Sequence, residues 1–131
     1  MVSHESGTIV SFEVEGEMIR FFVKDPCEEI QKYHYAGQFY EKEELEIISR
    51  YYKKGTPFAD IGSNIGNHAI FAERILKAPE VILFEPNPPA IAYLELNLTL
   101  NNCRNINRDY LGFPVSDAIG RRMKITLSPD N

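Results

Sequence analysis

The chain has 131 residues, 44% hydrophobic and 25% charged, with 14 basic and 19 acidic side chains and a net charge of −5 at pH 7. That length suits one domain with a core of its own, and the balance excludes a disordered chain. The acidic excess is concentrated in residues 1–50, eleven acids against five bases, and nothing resembles the basic stripe of a nucleic-acid binder.

No apolar stretch approaches the ~20 residues needed to span a bilayer. Residues 1–16 carry neither the basic flank nor the continuous apolar region of a signal peptide. Cys27 and Cys103 sit far apart in unrelated contexts, the usage expected of a reduced, cytoplasmic protein. Arg104, Arg108, Arg121, Arg122 and Lys124 form a modest basic cluster, read either as a phosphate-facing patch or as solvated strand and loop faces.

In chain order, "TIVSFEVEGEMIRFFV" predicts two strands, residues 8–14 and 18–23, joined at Glu15-Gly16-Glu17. Residues 31–39 read as a polar and aromatic loop. From Glu41 the period changes: Leu45, Ile48 and Tyr52 share a helical stripe, with Ile47 and Tyr51 beside it, until Gly55 stops the helix. Residues 57–61 predict a short apolar strand. Ala69, Ala72 and Leu76, with Ile65 and Ile75 alongside, give the next helix a buried face that ends by Pro79. "VILFE", residues 81–85, fits a strand buried on both sides. Asn87 is placed as an N-cap, followed by Pro88 and Pro89, with Ile91, Leu94 and Leu98 on one helical face. A weaker strand is expected near residues 113–115, and the alternation of Met123, Ile125 and Leu127 predicts a half-buried strand in "RMKITL". Strand, helix, strand, helix, strand with short joints implies an α/β fold with parallel crossovers, Rossmann-like in kind.

The stretch "PFADIGSNIGNHAIF" carries the chemistry. A glycine where a strand leaves a parallel sheet allows a sharp turn and a close ligand approach. The following helix aims its unpaired N–H groups at that ligand. Glu85 ends the next strand, 23 residues after Gly62, where a carboxylate can accept hydrogen bonds from a ribose diol. A pyrophosphate site needs Gly-x-Gly-x-x-Gly, whereas here Ser63 and Asn64 precede Gly66 and Asp60 stands at the strand end. An acid there repels pyrophosphate and pairs with an ammonium, which selects S-adenosylmethionine, with an ammonium, a ribose and no phosphate. The plainer reading is a tight turn at Gly62 and Gly66 with Glu85 as a helix-entry carboxylate. The common register of strand, loop, helix, strand and acid favours the cofactor site.

"FYEKEELEIISRYYKKGTPFADIGSNIGNHAIF" followed by "VILFEPNPPAIAYLELNLTLNN" resembles the FkbM-type methyltransferases, members of the class I S-adenosylmethionine-dependent group. The resemblance covers roughly residues 38–120 and includes Phe39-Tyr40-Glu41. It implies that Asp60, Gly62, Ser63, Asn64, Ile65, Gly66 and Asn67 surround the methionine half of the cofactor. Glu85 would hold the ribose, Pro86 and Asn87 would shape the adenine side, and Ser116 and Asp117 would lie near the adenine amino group. Tyr40 and Glu41 would close over the methionine end. The family's later Asp-x-Glu-Gly run has no counterpart after residue 88, so the expectation is the cofactor-binding half of a methyltransferase. Residues 55–131 would form that unit, and residues 1–54 a hairpin and helix before it.

The implied activity is methylation of a hydroxyl on a sugar or small metabolite. The partners expected are a small-molecule acceptor and a second copy of the chain, with no nucleic acid and no membrane. The alternatives are a module that binds S-adenosylmethionine without turnover and a structural fragment with an empty loop. His68 is a tempting base but fits a helix-start histidine equally, so no catalytic residue is assigned. No cluster has metal-ligand spacing.

Overall fold

The computed structural model describes residues 6–120, 122 and 124–126. The two period-two runs fold into an antiparallel hairpin, β1 (Thr8–Val14) and β2 (Glu17–Val23). Glu15 and Gly16 both take positive φ, 50° and 80°, in a two-residue turn whose twist matches the strands.

A short helix α1 (Gln31–Tyr35) forms where the sequence predicts only loop. Glu28 accounts for it: its Oε2 accepts the N–H groups of Ile30 and Gln31, satisfying donors that a helix start leaves orphaned. Helix α2 (Lys42–Tyr51) buries Leu45 and packs Ile48 and Tyr52 on the core. Ile47 and Tyr51, expected beside that stripe, instead stand 54% and 84% exposed.

Next come β3 (Phe58–Ile61), α3 (Asn67–Arg74), β4 (Val81–Glu85), α4 (Pro88–Leu100) and β5 (Ile106–Leu111). The three strands form a parallel sheet in the order β3-β4-β5. The third strand therefore lies ahead of residues 113–115. Pro114 has no N–H to give a ladder, whereas pairing with β4 begins as soon as the chain leaves α4, Val81 N–H bonding Asn105 O at 2.7 Å. Of the last predicted strand, Met123 and Leu127 lie outside the described residues, and residues 124–126 form no strand.

One face of the sheet packs Val81 and Leu83 into a core with Ala69, Ile70, Ala72, Leu94 and Leu98 of α3 and α4. On the other face Ile82 and Phe84 are only half-buried, so β4 is not closed on both sides as its composition suggests. Phe84 covers itself there by stacking on Tyr110, centroids 4.8 Å apart.

The hairpin is tied to α4 by two buried amides. Asn97 Oδ1 accepts the Phe22 N–H, and Asn101 Oδ1 accepts the Arg20 N–H, each at 2.9 Å. Asn101 Nδ2 returns a bond to Arg20 O at 2.7 Å. Placed four positions apart on one helical face, these side chains stand in for a third strand beside β2. At the sheet's far end Glu73 Oε1 accepts the N–H groups of Arg104 and Asn105, fixing the entry to β5.

Candidate functional site

The chain leaves β3 through Gly62, φ 83°, and a Cβ added there would meet no atom within 4 Å. The N–H groups of Gly62 and Ser63 both bond Phe84 O, at 2.8 and 3.0 Å, folding the loop over the end of β4. Ser63 Oγ donates to Asp60 O at 2.9 Å, and Asn64 turns left-handed at φ 48°. Gly66, φ 101°, opens α3, and a Cβ there would stand 3.0 Å from Leu94 Cδ1. The two glycines thus serve different ends. Gly66 allows helix packing, and Gly62 borders open space.

Glu85, 7% exposed, closes this arrangement. Its Oε1 accepts the Asn64 N–H at 2.8 Å and its Oε2 the Asn87 N–H at 3.0 Å, so one carboxylate joins the loops after two adjacent strands. Asn87 takes the N-cap position of α4 without the side-chain cap the sequence predicts; its Oδ1 is buried without a partner. A pocket of about 180 Å³ opens beside Glu85 and Asn87, walled by Ile65, Pro89 and Tyr93.

Asp60 is 8% exposed, and its Oδ2 is buried without a hydrogen-bond partner. Burial pushes its carboxyl above the usual range and Glu85 adds to this, while His68, Ser63 and the Ala69 N–H pull it down. A buried carboxylate oxygen lacking a donor suits a ligand that brings a cation or an N–H.

Asn67 does something the sequence does not show. Its Oδ1 meets the Tyr40 N–H at 2.9 Å and His34 Nε2 at 2.8 Å, and its Nδ2 donates to Tyr40 O at 2.8 Å. The carboxamide therefore clamps the segment ahead of α2 to the first turn of α3. His34 is fully buried, stacked on Phe21 at 3.6 Å, and burial brings its pKa down to about 4. In the neutral ring Nε2 carries the proton to Asn67, leaving Nδ1 bare. An isolated His in a polar loop gave no sign of this, because no local pattern names a partner 33 residues away. Next to the clamp Glu41 is held left-handed at φ 55°, its Oε2 3.3 Å from the half-exposed His68 Nε2.

Asp60, Gly62, Ser63, Asn64, Gly66, Glu85 and Asn87 therefore share one hydrogen-bonded corner, with Pro86 in its joint and Ile65, 7% exposed, in the wall of the adjoining pocket. Tyr40 and Glu41 contact Asn67 and His68 at the start of α3. Ser116 and Asp117 lie beyond it in exposed chain after Gly112, where Ser116 Oγ contacts Asp117 Oδ1 at 3.4 Å and the Ala118 N–H at 3.3 Å. Among the described residues no group of three or more His, Cys, Asp or Glu side chains can hold a metal ion, and no helix is long and apolar enough to cross a membrane.

No protein-family model matches the sequence, and no curated protein matches it. Solved structures do share its fold. TYW2 of M. jannaschii in complex with AdoMet aligns with TM-score 0.53 and 19% identity, over 87% of this chain and 47% of its own. TYW2 of P. horikoshii in complex with MeSAdo gives 0.50 and 19%, over 81% and 35%. A tRNA m1G37 methyltransferase of M. jannaschii gives 0.51 and 18%, over 80% and 30%. This chain spans less than half the length of each. The tRNA enzyme overturns the expectation of a small-molecule acceptor and no nucleic-acid partner. A net charge sums the whole surface, so an acidic total does not by itself exclude a nucleic-acid partner. Over part of their length, the chain has the Rossmann-like α/β fold of these neighbours.

Proposed function

We propose that this chain is the S-adenosylmethionine-binding part of a class I methyltransferase whose acceptor is a nucleic acid. The observation that carries the cofactor reading is the Glu85 carboxylate, pinned at 2.8 Å to the Asn64 N–H beside the open space at Gly62. Each Glu85 oxygen accepts one backbone N–H and keeps lone-pair capacity for a ribose hydroxyl. Asp60 Oδ2, buried and unpaired, suits the ammonium group. The residues fit the cofactor, with residues 55–131 as its binding unit and residues 1–54 buttressing it.

The bound cofactor would supply a methyl group on a sulfonium for in-line displacement; the chain's own part is to hold and orient it. The AdoMet and MeSAdo complexes of the neighbours support the cofactor, and the tRNA methyltransferase supports the acceptor class. Membership of the FkbM-type family rests on Phe39-Tyr40-Glu41, residues 60–67 and residues 84–88 alone. Two free cysteines fit a reduced, cytoplasmic setting.

Calorimetric titration with S-adenosylmethionine and S-adenosylhomocysteine tests the reading. Saturable binding that Asp60→Ala and Glu85→Ala both weaken by more than tenfold is expected. A folded wild-type chain that binds neither compound would rule it out.

A further inference from the structure

A second, larger cleft of about 530 Å³ opens between the hairpin tip, residues 37–39 and α2. Its volume falls within the ~300–1,000 Å³ of small-molecule sites, and it uses no residue of the glycine loop. The floor is apolar and aromatic: Phe39 and Phe71 meet edge to face at 5.3 Å, with Val14 and Leu45 beside them. The hairpin wall carries Glu13 and Glu15. The α2 wall carries Lys42 and Arg50, with Glu46 between them. Among the described residues none of these five charged side chains forms an ion pair, although opposite charges line the same space.

Unpaired charges of opposite sign on two walls over a ring-lined floor ask for a flat ligand with donors at one end and an anion at the other. A carboxylate accepts from an exocyclic amino group, as Glu and Asp do from cytosine N4. Phe39 and Phe71, 5% and 8% exposed, present a small apolar surface against which the face of an unstacked base can lie. Lys and Arg bind phosphate. We propose that this cleft binds a nucleoside phosphate whose base carries an exocyclic amino group, either free or as a residue of single-stranded RNA. The cleft shares no lining residue with the pocket at the cofactor corner.

Titration with CMP, UMP and a short oligocytidylate tests this. CMP should bind saturably, and UMP, which presents a carbonyl oxygen in place of the amino group and an N3–H in place of a bare N3, about tenfold more weakly, the loss of one charge-assisted hydrogen bond together with the new carbonyl facing a carboxylate. The Lys42→Ala/Arg50→Ala double variant, altered only at exposed positions, should lose at least about tenfold in CMP affinity. Gly62→Ala should bind CMP as wild type does. Tighter binding of the oligomer would identify RNA as the source, and equal affinity a free nucleotide. Equal CMP and UMP affinities, an unaffected double variant, a loss in Gly62→Ala, or no binding by the folded chain would each overturn the proposal.

Discussion

The Glu85 carboxylate reaches from the end of β4 to the backbone N–H of Asn64, 2.8 Å away in the loop that follows β3. The bond shapes the loop, and each carboxylate oxygen keeps lone-pair capacity beyond its one backbone partner.

Replacing Glu85 by Ala leaves the Asn64 and Asn87 N–H groups without their acceptor. Bonds to a charged acceptor are worth about 1.5–3 kcal/mol each, and water reaching the corner returns part of that. A loss of about 2–4 kcal/mol in chemical denaturation is expected for Glu85→Ala, with Glu85→Gln in between. Equal stability of Glu85→Ala and wild type would show that the bond does not hold the loop.

Gly62 and Gly66 should respond differently to Ala. Both have positive φ, so each substitution costs about 1 kcal/mol of backbone strain. At Gly66 the new methyl also presses on Leu94, and a further loss of about 1–3 kcal/mol is expected. At Gly62 it enters open space, so the loss should appear in S-adenosylmethionine affinity more than in melting temperature. Similar melting temperatures for the two variants would contradict this division.

His34 should make stability fall with acidity. The folded ring titrates at about 4, mainly because burial opposes its charge, against an ordinary value of 6.5. Below pH 6.5 the unfolded chain takes up a proton that the folded chain refuses. Stability is therefore lost between about pH 6.5 and 4 and levels off below, by up to about 3 kcal/mol. Denaturation of wild type and His34→Gln from pH 7 to 4.5 checks it: the variant's curve should be flatter, and parallel curves would refute the assignment.

Asn97→Leu removes the acceptor of the part-buried Phe22 N–H and the donor to Ile65 O, leaving both backbone groups without that partner. A cost of about 1–3 kcal/mol is expected, with hydrogen exchange at the Phe22 amide faster than at amides paired between β1 and β2. Uniform acceleration across the whole hairpin would mean that Asn97 contributes only to global stability.

The sequence by itself determined the elements whose signal is local. Alternation placed β1 at its observed bounds, and the apolar run at 81–85 with Pro88 and Pro89 after it placed β4 and α4. Gly62, Gly66 and Glu85 were legible because a strand-to-helix turn and a strand-end acid occupy fixed registers in a crossover unit. The edge strand β5 was not, because exposed Arg108, Asp109 and Tyr110 interrupt its apolar pattern. Only the tertiary structure decided the buried polar partners. His34 meets Asn67 across 33 residues, and Asn101 meets Arg20 across 81. A polar side chain has no periodicity that names its partner; burial forces it to find one, and the packing of hairpin, helices and sheet chooses which.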